Sequence, residues 1–420
     1  MATEKQKKVF APITLFIVLF TGLVAFVYFL SNRQDKPQEK VYRTLELDKL
    51  DSDFPLEYWQ QMKEPALMVE RNNKMVQSLT NGTRIIYSIE PELQTWLKEE
   101  FKKYEVPYGV GVLMDIPTGK IIVMEGHSEF NSDLTRDELA FKAWAPAASL
   151  IKIVTVSALL EIENFEPELE TCYHGGKRGL KPHHFKDNPE KDDKCEDLYT
   201  AFANSTNAVF AKLAHKHLSA RVLLSYAQKF GFNSYLNFEF PLEKSMININ
   251  KNDPLAVGYT AAGFGNVTLS PVHAAVITGI IANQGNQINP WLVEKVVSAE
   301  GKTLFVHKPQ KKLKHVLQPV AVDKLKKMML ATVERGTAVK AFYTPKKERR
   351  LAFDVAGKTG TLSRKTPVYL QYTWFVGFAP VSNPKVAIAM LVVNPARWRT
   401  KATYMAQRLL LQYFKLYPQK

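Results

Sequence analysis

Twenty-two consecutive residues, Val9 to Leu30, carry no charge. As a helix rising about 1.5 Å per residue they reach about 33 Å, enough to cross a hydrocarbon core of about 30 Å. The preceding Glu4-Lys5-Gln6-Lys7-Lys8 is short and basic, the flank that stays in the cytoplasm. Tyr28, Phe29 and Leu30 lead straight into Ser31-Asn32-Arg33, without the small-residue site at which a leader is cut. We therefore expect a cytoplasmic tail over residues 1–8 and a single-pass anchor over 9–30. Later apolar runs, His273–Ala282 and Val386–Val393, are core-sized. The rest of the chain is expected on the outer face of the membrane.

That placement decides how composition reads. Hydrophobic residues make up 46% and charged residues 23%, so disorder over most of the length is excluded. The net charge of +15 calls for acidic surroundings, and beyond a membrane these are wall polymer or anionic lipid rather than nucleic acid. The lysine-rich stretch 308–327 reads as a solvated helix face. Two cysteines, Cys172 and Cys195, bracket a polar loop holding His174, His183 and His184. Their spacing matches no standard zinc pattern, so a disulfide in an oxidising compartment is the expectation, with no metal.

Residues 31–82 read as a stalk, weakly helical around Tyr58–Val76. From 83 to 420 one domain is expected. Ile85–Ile89 has strand character, Pro91–Tyr104 an amphipathic helix pattern, and Val110–Met114 and Lys120–Met124 flank a Pro117-Thr118-Gly119 turn. A mostly helical middle runs from Ser149 to about Val339. Strands return at Leu351–Val355, Thr373–Phe378 and Val386–Val393, closed by a helix over about 403–414. Strands at both ends with helices between them predict an α+β fold whose ends share one antiparallel sheet.

Three motifs carry chemistry. Ser149-Leu-Ile-Lys152 opens an apolar helix after Pro146, so hydroxyl and amine meet one turn apart. An amine among apolar side chains loses hydration and becomes a usable base. A capping serine beside a solvated lysine would give the same letters. Ser382-Asn-Pro-Lys385 repeats the spacing but reads as a surface turn. Ser205-Thr206-Asn207 falls between two helical patterns, where the same residues also serve as caps. Lys358-Thr359-Gly360-Thr361 is expected at the end of the Leu351–Val355 strand. A phosphate loop there needs glycine at 352, where Ala352 stands.

In that order, Ser-x-x-Lys, Ser-x-Asn and Lys-Thr-Gly resemble the penicillin-recognising serine enzymes. Over residues 83–420 the chain resembles the transpeptidase domain of penicillin-binding proteins, with a β-lactamase/transpeptidase-like fold. The stretches Asp115–Lys120, Gly336-Thr337 and Trp374–Pro380 are similar too. Two departures stand out: Pro146-Ala147-Ala148-Ser149 where the family often has Pro-Gly-Ser, and Gly263-Phe264-Gly265 where many members read Gly-Gln-Gly. With about 50 residues between anchor and domain, a glycosyltransferase module is not expected.

The resemblance implies a mechanism without cofactor. Ser149 attacks the carbonyl of a D-Ala-D-Ala stem peptide, Lys152 takes its proton, and Ser205, touching Lys152 and Lys358, returns a proton to the leaving group. Asn207 binds the substrate amide. Backbone N–H groups of Ser149 and Thr361 form the oxyanion hole, and Lys358, Thr359, Gly360 and Thr361 hold the terminal carboxylate. β-Lactams trap the same serine, and a separate glycosyltransferase or morphogenetic complex is the implied partner. A D,D-carboxypeptidase, with water as acceptor, and a β-lactam-binding sensor or scaffold without turnover are the alternatives. A class A β-lactamase is disfavoured because Asn233 stands where its added glutamate is needed.

Overall fold

The structure is a computed structural model that describes residues 69–71, 73–129, 136–162, 166–177, 179–310, 313–365, 368–397 and 400–418. The anchor run 9–30 lies outside the described residues. Among those described, no helix is long and apolar enough to cross a membrane.

A five-stranded antiparallel sheet organises the domain. Its strands are β1 (Tyr108–Asp115), β2 (Ile121–Ser128), β3 (Ala356–Arg364), β4 (Leu370–Ala379) and β5 (Val386–Asn394). The spatial order is β3-β4-β5-β1-β2, so the two ends of the domain do share one sheet. The join lies in the β5–β1 pairing, which sets Val386 against Asp115 and Val393 against Tyr108. Successive side chains on a strand point to opposite faces, and here each face has its own core. Trp374, Val376 and Phe378 on β4, with Leu391 and Val393 on β5, belong to one cluster. Phe375, Ile388, Met390 and Val392 belong to the other. Because both faces are covered, β5 is buried along its whole length and shows no polar alternation in sequence.

Helix α1 (Pro91–Lys103) buries Leu93, Leu97 and Phe101, one turn apart, in the second cluster. There it meets the C-terminal helix Ala402–Leu416, and Arg408 pairs with Glu100 between them. On the opposite face lies the helical middle: α2 (Lys152–Ile162), α3 (Leu198–Asn204), α4 (Asn207–His217), α5 (Pro271–Ala282) and α6 (Pro319–Glu334). α5 is buried over all twelve residues, packed in the first cluster.

Two expectations are corrected. The helical reading fails at its end, since Val69–Arg71 and Lys74–Ser78 form a hairpin turning at Asn73, whose φ is 59°; residues 31–68 of the expected stalk lie outside the described residues. This hairpin joins a second five-stranded sheet with Arg84–Tyr87, Val293–Val297 and Thr303–Val306. Its last two strands sit inside the stretch expected to be helical. The Leu351–Val355 strand is also displaced, because the strand proper is β3, beginning at Ala356. Leu351 and Val355 are buried as core plugs of the second cluster, and that burial imitates strand alternation.

Candidate active site

Sequence places three motifs on three elements, and the fold brings them to one cleft. Ser149 sits in a single 3₁₀ turn, Ala148–Ile151, that feeds directly into α2. The turn is held from both sides. Ala147 N–H donates to Val267 O at 3.0 Å, and the Trp374 indole on β4 donates to Pro146 O at 2.9 Å. Ala148 has φ 49°, in the left-handed region, so alanine here occupies a conformation that glycine adopts without strain.

Lys152, one turn on, is fully buried. Its Nζ lies 3.0 Å from Ser149 Oγ, 3.0 Å from Ser205 Oγ, 3.0 Å from Ser205 O and 2.6 Å from Asn207 Oδ1. The Phe210 ring covers it at 5.0 Å. Burial, followed by the nearby Lys358 charge, holds this amine well below the ordinary lysine range. A neutral amine has two protons and one lone pair. Here the protons suit Asn207 Oδ1 and Ser205 O, while the lone pair can take the Ser149 proton.

Ser205 closes α3 with φ 57°. Its amide donates to Phe202 O at 3.1 Å and the next amide, of Thr206, to Ala201 O at 2.9 Å. The backbone thus caps the helix, leaving the Ser205 hydroxyl to face Lys152; a left-handed serine is a strained choice of the kind found at working sites. Asn207 opens α4, and its Nδ2 donates to Lys177 O at 3.0 Å, tying the polar loop to the cleft.

Lys358 is fully buried on β3, with its ammonium 5.2 Å from the centre of the Phe202 ring. Burial takes its pKa down to about 7. In this structure it donates to Thr359 O at 3.1 Å rather than to Ser205, so the expected Ser205–Lys358 contact is replaced. β3 is an edge strand of the sheet, paired among the described residues with β4 alone. At Gly360 an added Cβ would lie 3.3 Å from Ala147 O and 3.4 Å from Leu150 Cγ, so glycine lets β3 close on the Ser149 turn. Thr361 is exposed at the mouth, and Thr359 is half-buried.

Gly263-Phe264-Gly265 ends the helix Ala256–Ala262 and forms the floor. Gly263 has φ 103°, and a Cβ there would lie 2.6 Å from Ala148 O and 2.9 Å from Ser149 N. Only glycine fits against the nucleophile turn. Phe264 is exposed.

Cys172 and Cys195 stand directly opposite each other on the paired strands Thr171–Tyr173 and Lys194–Glu196 and form a disulfide. They are therefore not metal ligands. His174, His183 and His184 each bring one ring nitrogen within 4.8 Å of the others. His174 Nδ1 lies 2.5 Å from Asp192 Oδ1, leaving Nε2 as a lone pair. His184 Nδ1, however, accepts the Lys181 N–H at 3.0 Å, so its neutral ring carries the proton on Nε2. That spoils a three-imidazole metal set. The loop is secured instead by Lys212, which donates to Asp192 at 2.6 Å and Cys172 O at 2.9 Å.

Sequence reading missed two contributors. The Trp374–Pro146 hydrogen bond leaves no local pattern, since 228 residues separate its ends. Thr337 was visible only as part of a Gly-Thr pair; its hydroxyl lies 2.6 Å from that of Thr359.

A search against family models matches residues 109–411 to the penicillin binding protein transpeptidase domain. The chain belongs to this family. Among curated proteins it is 26% identical over 350 residues to the peptidoglycan D,D-transpeptidase PbpA of Mycobacterium tuberculosis, covering 75% of this chain and 68% of that one. It is 22% identical over 335 residues to stage V sporulation protein D of Bacillus subtilis, covering 75% of this chain but half of that protein. The crystal structure of PBPA from M. tuberculosis superposes with a TM-score of 0.63 at 22% identity, over 79% of this chain and 82% of that one. Its imipenem acyl-enzyme complex gives 0.64 at 23% identity, over 78% and 79%. These likenesses establish the transpeptidase α+β fold.

Proposed function

We infer that this penicillin-binding protein is a peptidoglycan D,D-transpeptidase that cross-links stem peptides through an acyl-enzyme on Ser149. The observation that carries the reading is the buried Lys152 amine, within 3.0 Å of both the Ser149 and Ser205 hydroxyls. Lys152 takes the Ser149 proton as Oγ attacks the D-Ala-D-Ala carbonyl. Ser205, on the other side of the same amine, relays a proton to the departing D-Ala. Amides of Ser149 and Thr361 stabilise the oxyanion, each donor worth about 3–4 kcal/mol. Asn207 keeps one Nδ2 proton for a substrate carbonyl, since the other is used by Lys177 O. Lys358, Thr359 and Thr361 receive the terminal carboxylate, and β-lactams acylate the same serine. The uncharged run 9–30 anchors the protein in the inner membrane with the catalytic domain on the periplasmic side, where a disulfide is stable.

The test is labelling with a fluorescent penicillin. Wild type is expected to take a label that persists for hours, and Ser149→Ala to take none. Rapid loss of label would point to a β-lactamase, and no label on folded wild type to a scaffold. Incubation with stem-peptide substrate then separates cross-linked dimers from the trimmed monomers of a carboxypeptidase.

A further inference from the structure

We propose that Thr337 is a positioning residue of the carboxylate subsite: its hydroxyl donates to Thr359, so that Thr359 keeps its own proton for the acyl donor's terminal carboxylate. This rests on the reading of Lys358-Thr359-Gly360-Thr361 as the carboxylate clamp.

The argument starts from proton counting. The two hydroxyls are 2.6 Å apart, and each has a single proton. In such a pair one oxygen donates and the other accepts. A carboxylate only accepts, so Thr359 can serve it only if its proton points into the cleft. Thr359 must then be the acceptor in the pair, and Thr337 the donor. Without Thr337, the Thr359 hydroxyl rotates freely and loses the preset direction.

The backbone around Thr337 is built to hold that hydroxyl in place. α6 ends at Glu334, and the chain then crosses the end of α3. Thr337 N–H donates to Ala203 O at 3.0 Å, two residues before Ser205, and Ala338 N–H donates to Thr332 O at 3.1 Å. At Gly336 an added Cβ would lie 2.3 Å from Ala203 O, so the approach is as close as backbone allows. Thr337 therefore ties three pieces to one another: the end of α6, the α3 terminus that carries Ser205, and the Lys-Thr-Gly strand. Its side chain is exposed at the cleft, so the hydroxyl is not needed to fill the core.

The experiment compares benzylpenicillin with its methyl ester, which lacks the carboxylate, on wild type, Thr337→Val, Thr337→Ser and Thr359→Val. For Thr337→Val we expect acylation by the acid to be about tenfold less efficient, the loss lying in binding rather than in the acylation rate constant, and the ester to be unchanged within twofold. Thr337→Ser is expected to match wild type on both compounds. In a Thr359→Val background the Thr337→Val loss should vanish, because the two act as one unit. Equal slowing on acid and ester would make Thr337 a structural residue and overturn the proposal, as would a Thr337→Val enzyme indifferent to both. Should Thr337→Val not fold, the Ser variant and the Thr359→Val background decide the matter against a Thr337→Ala enzyme. Wild type that is acylated equally well by acid and ester would refute the underlying clamp reading instead.

Discussion

Burial over the Phe202 ring brings the Lys358 ammonium down to about 7, and this has a sign that can be checked. A bound carboxylate favours the charged amine, so binding raises its pKa. Below about pH 7 the lysine is charged in both free and bound enzyme, and affinity for a carboxylate-bearing donor does not depend on it. Above that pH the free enzyme must take up a proton to bind, and acylation efficiency falls by up to tenfold per pH unit. A profile with benzylpenicillin from pH 6 to 9 should bend downward near 7, and an unbent profile up to pH 9 would show Lys358 to be ordinary. For Lys152 burial, followed by the nearby Lys358 charge, also disfavours the charged amine. The two lysines thus divide the work: Lys152, with its charged form disfavoured, suits a base, and Lys358 is poised to charge when an anion arrives.

At the scale of elements, the nucleophile turn is a strained segment clamped between β4 and the Gly263 floor. Gly263→Ala forces a Cβ onto Ala148 O at a backbone φ of 103°. We expect a loss of about 2 kcal/mol in stability and at least a tenfold loss in acylation, because Ser149 N shares the clash. Ala148→Gly should behave in the opposite sense: relief of the left-handed alanine offsets the entropy of glycine, leaving the melting temperature equal or higher with acylation retained. A drop of the size usual for glycine inside a helix would refute the left-handed geometry. The same segment shows what sequence can and cannot tell. Ser149 and Lys152 were legible because one helical turn links them, and Ser205 and Asn207 because they sit at a helix junction. The strain at Ala148 surfaced only as a departure from Pro-Gly-Ser, and its cause, the Trp374 and Gly263 contacts, lies more than a hundred residues away. The apolar runs placed β5 to within one residue and the middle of β4, but missed the first three residues of β4, Leu370–Tyr372. The hairpin at 69–78 and the pair Val293–Val297 and Thr303–Val306 escaped, being short and set among polar residues in stretches whose overall pattern is helical or irregular.

Across the whole molecule, the polar loop is held by one covalent link and one buried charge cluster. The Cys172–Cys195 bond closes a separation of 23 residues, which the chain-entropy model values at about 3 kcal/mol. Cys172→Ser, or reduction of the native protein, is expected to lower the unfolding midpoint by roughly 5 °C. A midpoint indifferent to reductant would mean that Lys212, with Asp192 and the Cys172 carbonyl, secures the loop unaided. Burial works against the Asp192 carboxylate, but hydrogen bonds from Asn188 N–H, His174 and Lys212 outweigh it and hold its pKa at about 2. The Asp192 carboxylate therefore stays charged at any pH the protein meets in a cell.

The pairing of β5 with β1 has a consequence for synthesis. The middle strand of the sheet leaves the ribosome about 270 residues after the strand it must pair with. Until then β1 and β2 are a hairpin with one bare edge, and the Lys-Thr-Gly strand has no sheet to join. The serine and its base are made early, but the cleft wall that completes them, the strand Ala356–Arg364, follows about 200 residues later. A chain that has not yet reached the Lys-Thr-Gly strand lacks one wall of the cleft, so activity reports that synthesis has passed β3 and the strands it pairs with.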